Sequence, residues 1–299
     1  MHYGFIGLGN LGGHLAASLL RAGFNVSVND LNRDLADRLI ATGAHWAETP
    51  EDLTRAVDTV ITCLPSPQVS EAVLERILSV AKPGQCWIEM STLGRDEIVR
   101  LAAKAAEHGV QTLELPVTGG VHLAARGEIT MLVGGDGDLF ATHEPAISAM
   151  GNKVFHMGLL GSAAIIKVIT NMLAFIHLVA DGEALMLAKR GGLDLGQAWK
   201  AIAASSGSSF VHETEGQLIL NGSYDIAFTM DLALKDLGFA MGFGREFEVP
   251  LDLAGQTLQT FLRGRAAYGG QAQSTQIVKL LEDVLGTDLR AQGFPARLE

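Results

Sequence analysis

The sequence predicts an α/β fold: a mostly parallel sheet in the first half, then an all-helical second half joined to it by a long helix. Three observations carry this. Short apolar strand patterns alternate with helical periodicity from residue 3 to residue 133, as in a parallel sheet covered on both faces. One apolar helical pattern then runs unbroken from Ser162 to about Arg190, about 44 Å at 1.5 Å per residue. Beyond it the patterns are helical only. A length of 299 residues fits two domains, expected at 1–161 and 162–299.

The strands are read at Tyr3–Ile6, Asn25–Val28, Thr59–Cys63, Cys86–Met90, Thr112–Leu115 and Ile129–Val133. Between them, helical periodicity covers Leu11–Ala22, Arg33–Thr42, Gln68–Ala81 and Arg95–His108, with Gly23, Gly43, Gly84 and Gly109 following the helical patterns. Glycine suits the left-handed residue that ends a helix. After the long helix, patterns at Leu195–Ser205, Leu232–Phe247, Leu251–Tyr268 and Thr275–Leu285 complete the chain.

Hydrophobic residues make up 48% of the chain and charged ones 18%, which supports a large core and excludes wholesale disorder. The formal charge of −11 argues against a general nucleic-acid binder, which needs a basic surface. Two cysteines, Cys63 and Cys86, make neither a disulfide framework nor a Cys-rich zinc site. A cytoplasmic setting without a metal is expected. The N-terminus enters a strand directly and shows no targeting pattern. The apolar run Ala163–Ala180 contains Lys167, Asn171 and His177. A mid-span lysine costs about 2.5–3.5 kcal/mol in a membrane, so a buried helix is expected there and no membrane partner.

Gly7-Leu8-Gly9-Asn10-Leu11-Gly12 places G-x-G-x-x-G directly after the first strand and at the mouth of a helix. Gly7 permits the tight turn, Gly9 lets backbone approach a pyrophosphate, and Gly12 lets the helix pack on the sheet. Asp30 ends the second strand eighteen positions after Gly12, where a carboxylate binds the adenosine ribose. It accepts a 2′-hydroxyl and repels a 2′-phosphate, so NAD is expected over NADP. Arg33, three residues on, partly offsets that preference.

Two further segments carry chemistry. Pro116-Val-Thr118-Gly119-Gly120 follows the fifth strand, and consecutive small residues there make a backbone concavity for an anion such as a carboxylate. Lys167 lies in the apolar helix with Asn171 four residues on, in line on the same face. A buried lysine is costly unless used or paired, and desolvation moves its pKa toward neutrality, where it suits general acid–base work. Lys235-Asp236 stands in a later helix, where a surface pair and a functional one read alike.

In this order and spacing, the segments resemble the β-hydroxyacid dehydrogenase family over nearly the whole chain. The resemblance implies a Rossmann-type nucleotide domain, NAD, and a 3-hydroxy acid or its semialdehyde as the small-molecule partner. It implies that Gly7, Leu8, Gly9, Asn10, Leu11 and Gly12 bind the dinucleotide and Asp30 holds its ribose. Leu64-Pro65 would pass under the cofactor, Ser91-Thr92 would lie beside the nicotinamide half, and Lys235 would close over the cofactor site. Thr118, Gly119 and Gly120 would hold the substrate carboxylate, Lys167 would be catalytic, and Asn171 would orient the substrate. His122 and His212 occupy places where substrate-side residues vary. Two departures stand out: Thr118 replaces the usual serine, and Leu93-Gly94-Arg95 follow Ser91-Thr92 where the family has a proline.

The expected reaction is hydride transfer between the nicotinamide and the CH–OH of the substrate, with Lys167 moving the hydroxyl proton. The alternatives are an imine reductase on the same scaffold, whose members commonly lack this lysine, and a non-catalytic dinucleotide-binding module. A methyltransferase would share the glycine turn and Asp30 but leave Lys167 and Asn171 unexplained. A helix apolar nearly all round needs cover on every side, so a homodimer or homotetramer is expected.

Overall fold

The computed structural model describes residues 1–298. The chain forms two compact units, Met1–Lys167 and Val168–Glu299, which divide inside the long helix.

The first unit contains strands β1 (His2–Ile6), β2 (Asn25–Asn29), β3 (His45–Trp46), β4 (Thr59–Thr62), β5 (Cys86–Glu89), β6 (Gln111–Glu114), β7 (Val117–Thr118), β8 (Thr130–Gly134) and β9 (Lys153–Gly158). Its helices are α1 (Gly12–Arg21), α2 (Asp37–Ala41), α3 (Pro50–Ala56), α4 (Pro67–Leu78), α5 (Arg95–Glu107), α6 (Val121–Arg126) and α7 (Gly137–Met150). They build one sheet in the order β3-β2-β1-β4-β5-β6-β8-β7, with β9 pairing β8. The first six strands are parallel, and β8 runs antiparallel to β6 and β7. The order 3-2-1-4-5-6 is the dinucleotide-binding one, whose crevice opens where the order reverses, between β1 and β4. The glycine turn lies there.

Adjacent residues on each central strand enter different cores, as the period of two requires. Phe5, Ile61 and Ile88 join Leu15, Leu19 and Ile147 on one face, while Ile6, Val60 and Trp87 join Leu53, Leu74 and Ile98 on the other. Helices α1 and α7 thus cover one face and α3, α4 and α5 the other. The glycines Gly23 and Gly43 take φ of +82° and +107° behind α1 and α2, the left-handed cap their positions required.

Helix α3 adds to the helices expected above; Thr49 accepts the Asp52 N–H and Pro50 opens the first turn, a legible start signal. The short β3, β7 and α6, the exposed β9 and the helix α7 also lie outside the expected elements.

Helix α8 (Ser162–Arg190) begins in the first unit. The second unit holds the rest of it with α9 (Leu195–Ala203), α10 (Phe210–Asn221), α11 (Met230–Glu246), α12 (Asp252–Tyr268) and α13 (Lys279–Leu285). No strand is found there among the described residues. Its core gathers Phe175, Leu178, Leu220, Leu237 and Phe261, with the Phe175 and Phe261 rings edge to face at 5.4 Å. Its own chain covers α8 on some sides only. Only 33% of its most apolar window is buried within the chain, and Ile169, Leu173 and Leu187 stay 37%, 43% and 76% exposed.

Candidate active site

The glycine turn is shaped by close backbone approach. A Cβ on Gly7 would lie 2.3 Å from the Cys63 carbonyl oxygen, and one on Gly12 2.0 Å from that of Gly7. Gly9 differs. Nothing lies within 4 Å of its Cβ position, and Gly9 and Asn10 are exposed. A chain atom or ligand can therefore reach the backbone there, at the positive end of α1. Leu11 and Gly12 continue into that helix. Leu8 is narrower in role than expected: its side chain is 3% exposed in the core, and its N–H donates to Asp30 Oδ2 at 2.6 Å.

Asp30 also accepts the Asn32 N–H at Oδ1, 2.8 Å away. It therefore ties the end of β2 to the glycine turn, a bracing role sequence reasoning missed, while each oxygen keeps a second lone pair for a ribose hydroxyl. Arg33 lies over the Trp46 ring at 5.5 Å and faces Asp37 at 3.5 Å. The open cradle at Gly9, the helix end and the strand-end carboxylate fit a dinucleotide.

Leu64 and Pro65 follow β4, and a buried network fixes them. The Leu64 N–H donates to Ser91 Oγ at 2.7 Å, and the Ser91 N–H donates to Glu89 Oε1 at 2.6 Å. The Thr62 hydroxyl donates to Glu89 Oε2 at 3.0 Å while accepting the Trp87 indole N–H at 2.8 Å. Glu89 is 1% exposed, and burial pushes its carboxyl pKa up against these donors. Cys63, at the head of the turn, has its thiol pushed to about 12 by burial and then by Glu89. Thr92 is half-buried, and the proline-free Leu93-Gly94-Arg95 turn leads into α5, with the Gly94 N–H held by Glu97 at 2.7 Å.

Thr118 ends β7, and Gly119 and Gly120 follow at φ of +126° and +89°, values only glycine takes without strain. His122 stands beside them, its ring 3.2 Å from the Cβ position of Gly120. Burial, then the nearby Arg126, lowers its pKa, which keeps the ring neutral at pH 7. Lys167, on the second turn of α8, is 9% exposed. Its helix starts on a buried carboxylate, since Glu114 accepts the Ala163 N–H at 2.9 Å and the Ala164 N–H at 3.0 Å.

In the second unit, Asn171 Nδ2 donates to Asp236 Oδ2 at 2.6 Å. Asp236 is 1% exposed, and Lys235 Nζ lies 3.2 Å from its other oxygen and 5.7 Å from the Phe239 ring centroid. Lys235 and Asn171 thus share one carboxylate. His212 requires a correction. It is 1% exposed, with Nδ1 on Asp181 and Nε2 at 2.9 Å from the Trp199 carbonyl. Both ring nitrogens face acceptors, so the ring is committed to holding helices together and offers nothing to a substrate. The sequence showed its polarity but not its partner, thirty-one residues away.

With this geometry in place, likeness to known proteins is informative. Residues 2–158 match the family model of the NAD binding domain of 6-phosphogluconate dehydrogenase. Residues 161–281 match that of the NAD-binding region of NADP-dependent 3-hydroxyisobutyrate dehydrogenase. The chain is 32% identical to 2-(hydroxymethyl)glutarate dehydrogenase of Eubacterium barkeri over 96% of both proteins. The chain belongs to the β-hydroxyacid dehydrogenase family. L-Threonate dehydrogenase of Cupriavidus necator is 32% identical over 94% of this chain and 96% of its own. The solved structure of Mycobacterium tuberculosis 3-hydroxyisobutyrate dehydrogenase with L-serine matches at a TM-score of 0.84 and 27% identity, covering 94% of this chain and 98% of that one. This β-hydroxyacid dehydrogenase transfers hydride between a nicotinamide cofactor, NAD(P), and the CH–OH group of a hydroxy acid.

Three buried acids that brace candidate residues escaped sequence reasoning: Glu89 under the Leu64 turn, Glu114 at the start of α8, and Asp236 as the holder of Asn171. A signal existed for the first two. Each closes an apolar strand pattern, where a buried acid is expensive unless it is bonded.

Proposed function

We propose that this dehydrogenase acts on a polar 3-hydroxy acid or its semialdehyde, with Lys167 as general acid–base. The observation that carries the reading is the near-complete burial of Lys167 on the second turn of an apolar helix. In oxidation, the Lys167 amine takes the substrate hydroxyl proton as the C–H electron pair leaves the carbon and the carbonyl forms. In reduction the ammonium returns that proton. NAD, when bound, supplies the hydride acceptor. Thr118, Gly119 and Gly120 hold the substrate carboxylate and so place the reacting carbon, with His122 beside them. Asn171, itself held by Asp236, orients the substrate, and Lys235 serves the cofactor. Orientation of this kind supplies much of a barrier reduction.

Gly7, Gly9, Asn10, Leu11 and Gly12 hold the pyrophosphate, Asp30 the ribose, and Leu64, Pro65 and Thr92 the remainder. The Asp30 carboxylate favours NAD over NADP. The names of the relatives, with hydroxymethylglutarate, threonate and bound serine, support a substrate more polar than hydroxyisobutyrate. An imine reductase is disfavoured by Lys167. A second copy of the chain covers the exposed apolar stripe of α8, giving a homodimer or homotetramer. The two unpaired thiols, half-buried Cys63 and buried Cys86, fit the cytoplasm.

The test is turnover of 2-(hydroxymethyl)glutarate, L-threonate, L-serine and 3-hydroxyisobutyrate with NAD and with NADP, in wild type and Lys167→Ala. General acid–base catalysis contributes about 10²- to 10⁴-fold, so Lys167→Ala should lose at least that in kcat while still binding NAD. Near-normal turnover in the variant discards the lysine, and no turnover of any acid by wild type discards the substrate class.

A further inference from the structure

We infer that Glu114 is a positioning residue for catalysis: its buried carboxylate, clamped on the first two alanine N–H groups of α8, sets the place of Lys167. This rests on the reading of Lys167 as the acid–base group.

The geometry is direct. A helix leaves its first N–H groups without intrahelical partners. Here Ser162 and Ile165 find the Leu159 and Gly161 carbonyls, and Ala163 and Ala164 each take one oxygen of Glu114. Lys167 lies four residues after Ala163, and in an α-helix its N–H bonds the Ala163 carbonyl. One peptide unit therefore connects the carboxylate to the lysine backbone. The clamp is built into the sheet as well. A Cβ on Gly134 of β8 would stand 2.1 Å from Glu114 Oε1, so the neighbouring strand carries a glycine where the carboxylate lies. Ala164 packs into the core formed by Leu53, Trp87 and Ile98, which holds the helix start down on the same carboxylate.

The charged and titratable groups on the surrounding elements are few. Glu89 on β5 is the register partner of Glu114 and lines the same narrow cavity. Helix α5 brings Arg95, whose side chain passes Gly161, and α8 brings Lys167. Strand β8 brings only Gly134 at this level. Burial raises the Glu114 pKa to about 6, opposed by the N–H groups of Ala163, Ala164 and Gly161. Above that pH both oxygens accept; below it one carries a proton and accepts poorly.

A positioning group acts in the same sense on both directions of the reaction, whereas the acid–base group reverses. Reduction needs protonated Lys167, so the lysine gives its alkaline limb and Glu114 an acid limb near pH 6. The experiment compares wild type, Glu114→Gln, Glu114→Asp and Lys167→Ala. It reads hydrogen exchange of the 163–167 amides in the NAD complex, and kcat against pH in both directions with the best-turned-over acid of the panel above. In Glu114→Gln one N–H faces an amide nitrogen. The amides should lose protection, kcat should fall on the order of 10- to 100-fold, as small misplacements of a catalytic group do, and the acid limb of reduction should vanish. NAD affinity should hold, and Glu114→Asp should lie between.

Unchanged protection overturns the inference, and so does lost protection with an unchanged kcat and acid limb while Lys167→Ala is inactive. An active Lys167→Ala instead removes the reading of the lysine and leaves the exchange result standing. If Glu114→Gln does not fold, wild type suffices: protection of the 163–167 amides, corrected for intrinsic rates, should drop on going from pH 7.5 to pH 5, and a flat response overturns the inference.

Discussion

Asp236 shows how much can lie behind a residue proposed to orient substrate. Its carboxylate is buried, holds the Asn171 amide at 2.6 Å and stands 3.2 Å from Lys235. Removing one partner of a buried charged contact leaves the others unsatisfied, at about 1–3 kcal/mol for each stranded group. Asp236→Ala is therefore expected to raise substrate KM and lower kcat, with Asp236→Asn milder, because an amide oxygen still accepts from Asn171. Steady-state kinetics and a melting curve read both effects; wild-type constants in Asp236→Ala would remove Asn171 orientation from the mechanism. Lys167 and Asn171 were legible in the sequence because a lysine inside an apolar helix contradicts its surroundings. Asp236 was not, because an acid in a helical pattern reads as solvated until its partner is known; Glu89 and Glu114 showed a costly place in apolar strands but not what holds them. Those partners lie 65, 2 and 27, and 49 and 50 residues away in sequence. His212 failed for the opposite reason: a histidine near a polar segment looked accessible, and long-range pairing with Asp181 buried it.

Single elements carry their own pH response. Helix α10 presents His212 and Glu215 in the second unit. Burial, then the charge of Asp181, raises the Glu215 pKa from an ordinary 4.5 to about 8. For His212, burial pulls the pKa down, but the Asp181 and Trp199 acceptors outweigh it and the net direction is up from 6.5. Between pH 4.5 and 8 the folded chain binds a Glu215 proton that the unfolded chain has released, so stability falls as pH rises through that window. His212 acts in the same sense above pH 6.5. The protein should melt higher at pH 6 than at pH 8.5, and Glu215→Gln should flatten that difference in calorimetry. An unaltered slope in the variant assigns the dependence elsewhere.

On β8, Gly134→Ala sets a methyl group against Glu114, and overpacking of this kind costs about 1–3 kcal/mol. The variant should lose turnover along with stability, which chemical denaturation and kinetics measure together. The regular βα alternation was legible because buried parallel strands are apolar runs and their helices keep a 3.6 period. Strand β9 was not, since its exposed Lys153, Phe155, His156 and Met157 show no alternation. Helix α10 was hidden by a segment of serines that reads as a loop until Ser209 is seen accepting the His212 N–H.

For the molecule as a whole, the exposed stripe of α8 sets the expectation. Ile169 and Leu173, four residues apart, and Leu187 leave an apolar line on a helix whose most apolar stretch is only one-third buried by its own chain. The 31.7 kDa chain should run at twice that mass or more in light scattering, and Leu173→Glu should shift it toward the single chain. A single-chain mass for wild type would remove the assembly proposed above. The sequence announced an apolar helix but not which of its sides the chain itself would cover, because that depends on where five later helices land.

The clamp at Glu114 also decides how this protein can be taken apart. A nucleotide-binding fragment ending at Gly158 or Gly161 would stop short of Ala163 and Ala164 and strand a 2%-exposed carboxylate without its two helix donors. Such a fragment, cut where the match to the first family model ends, should be poorly soluble or need acid to fold. One extended through Asn171 keeps the first turns of α8 and satisfies the same carboxylate. The smallest autonomous piece is therefore longer than its sheet.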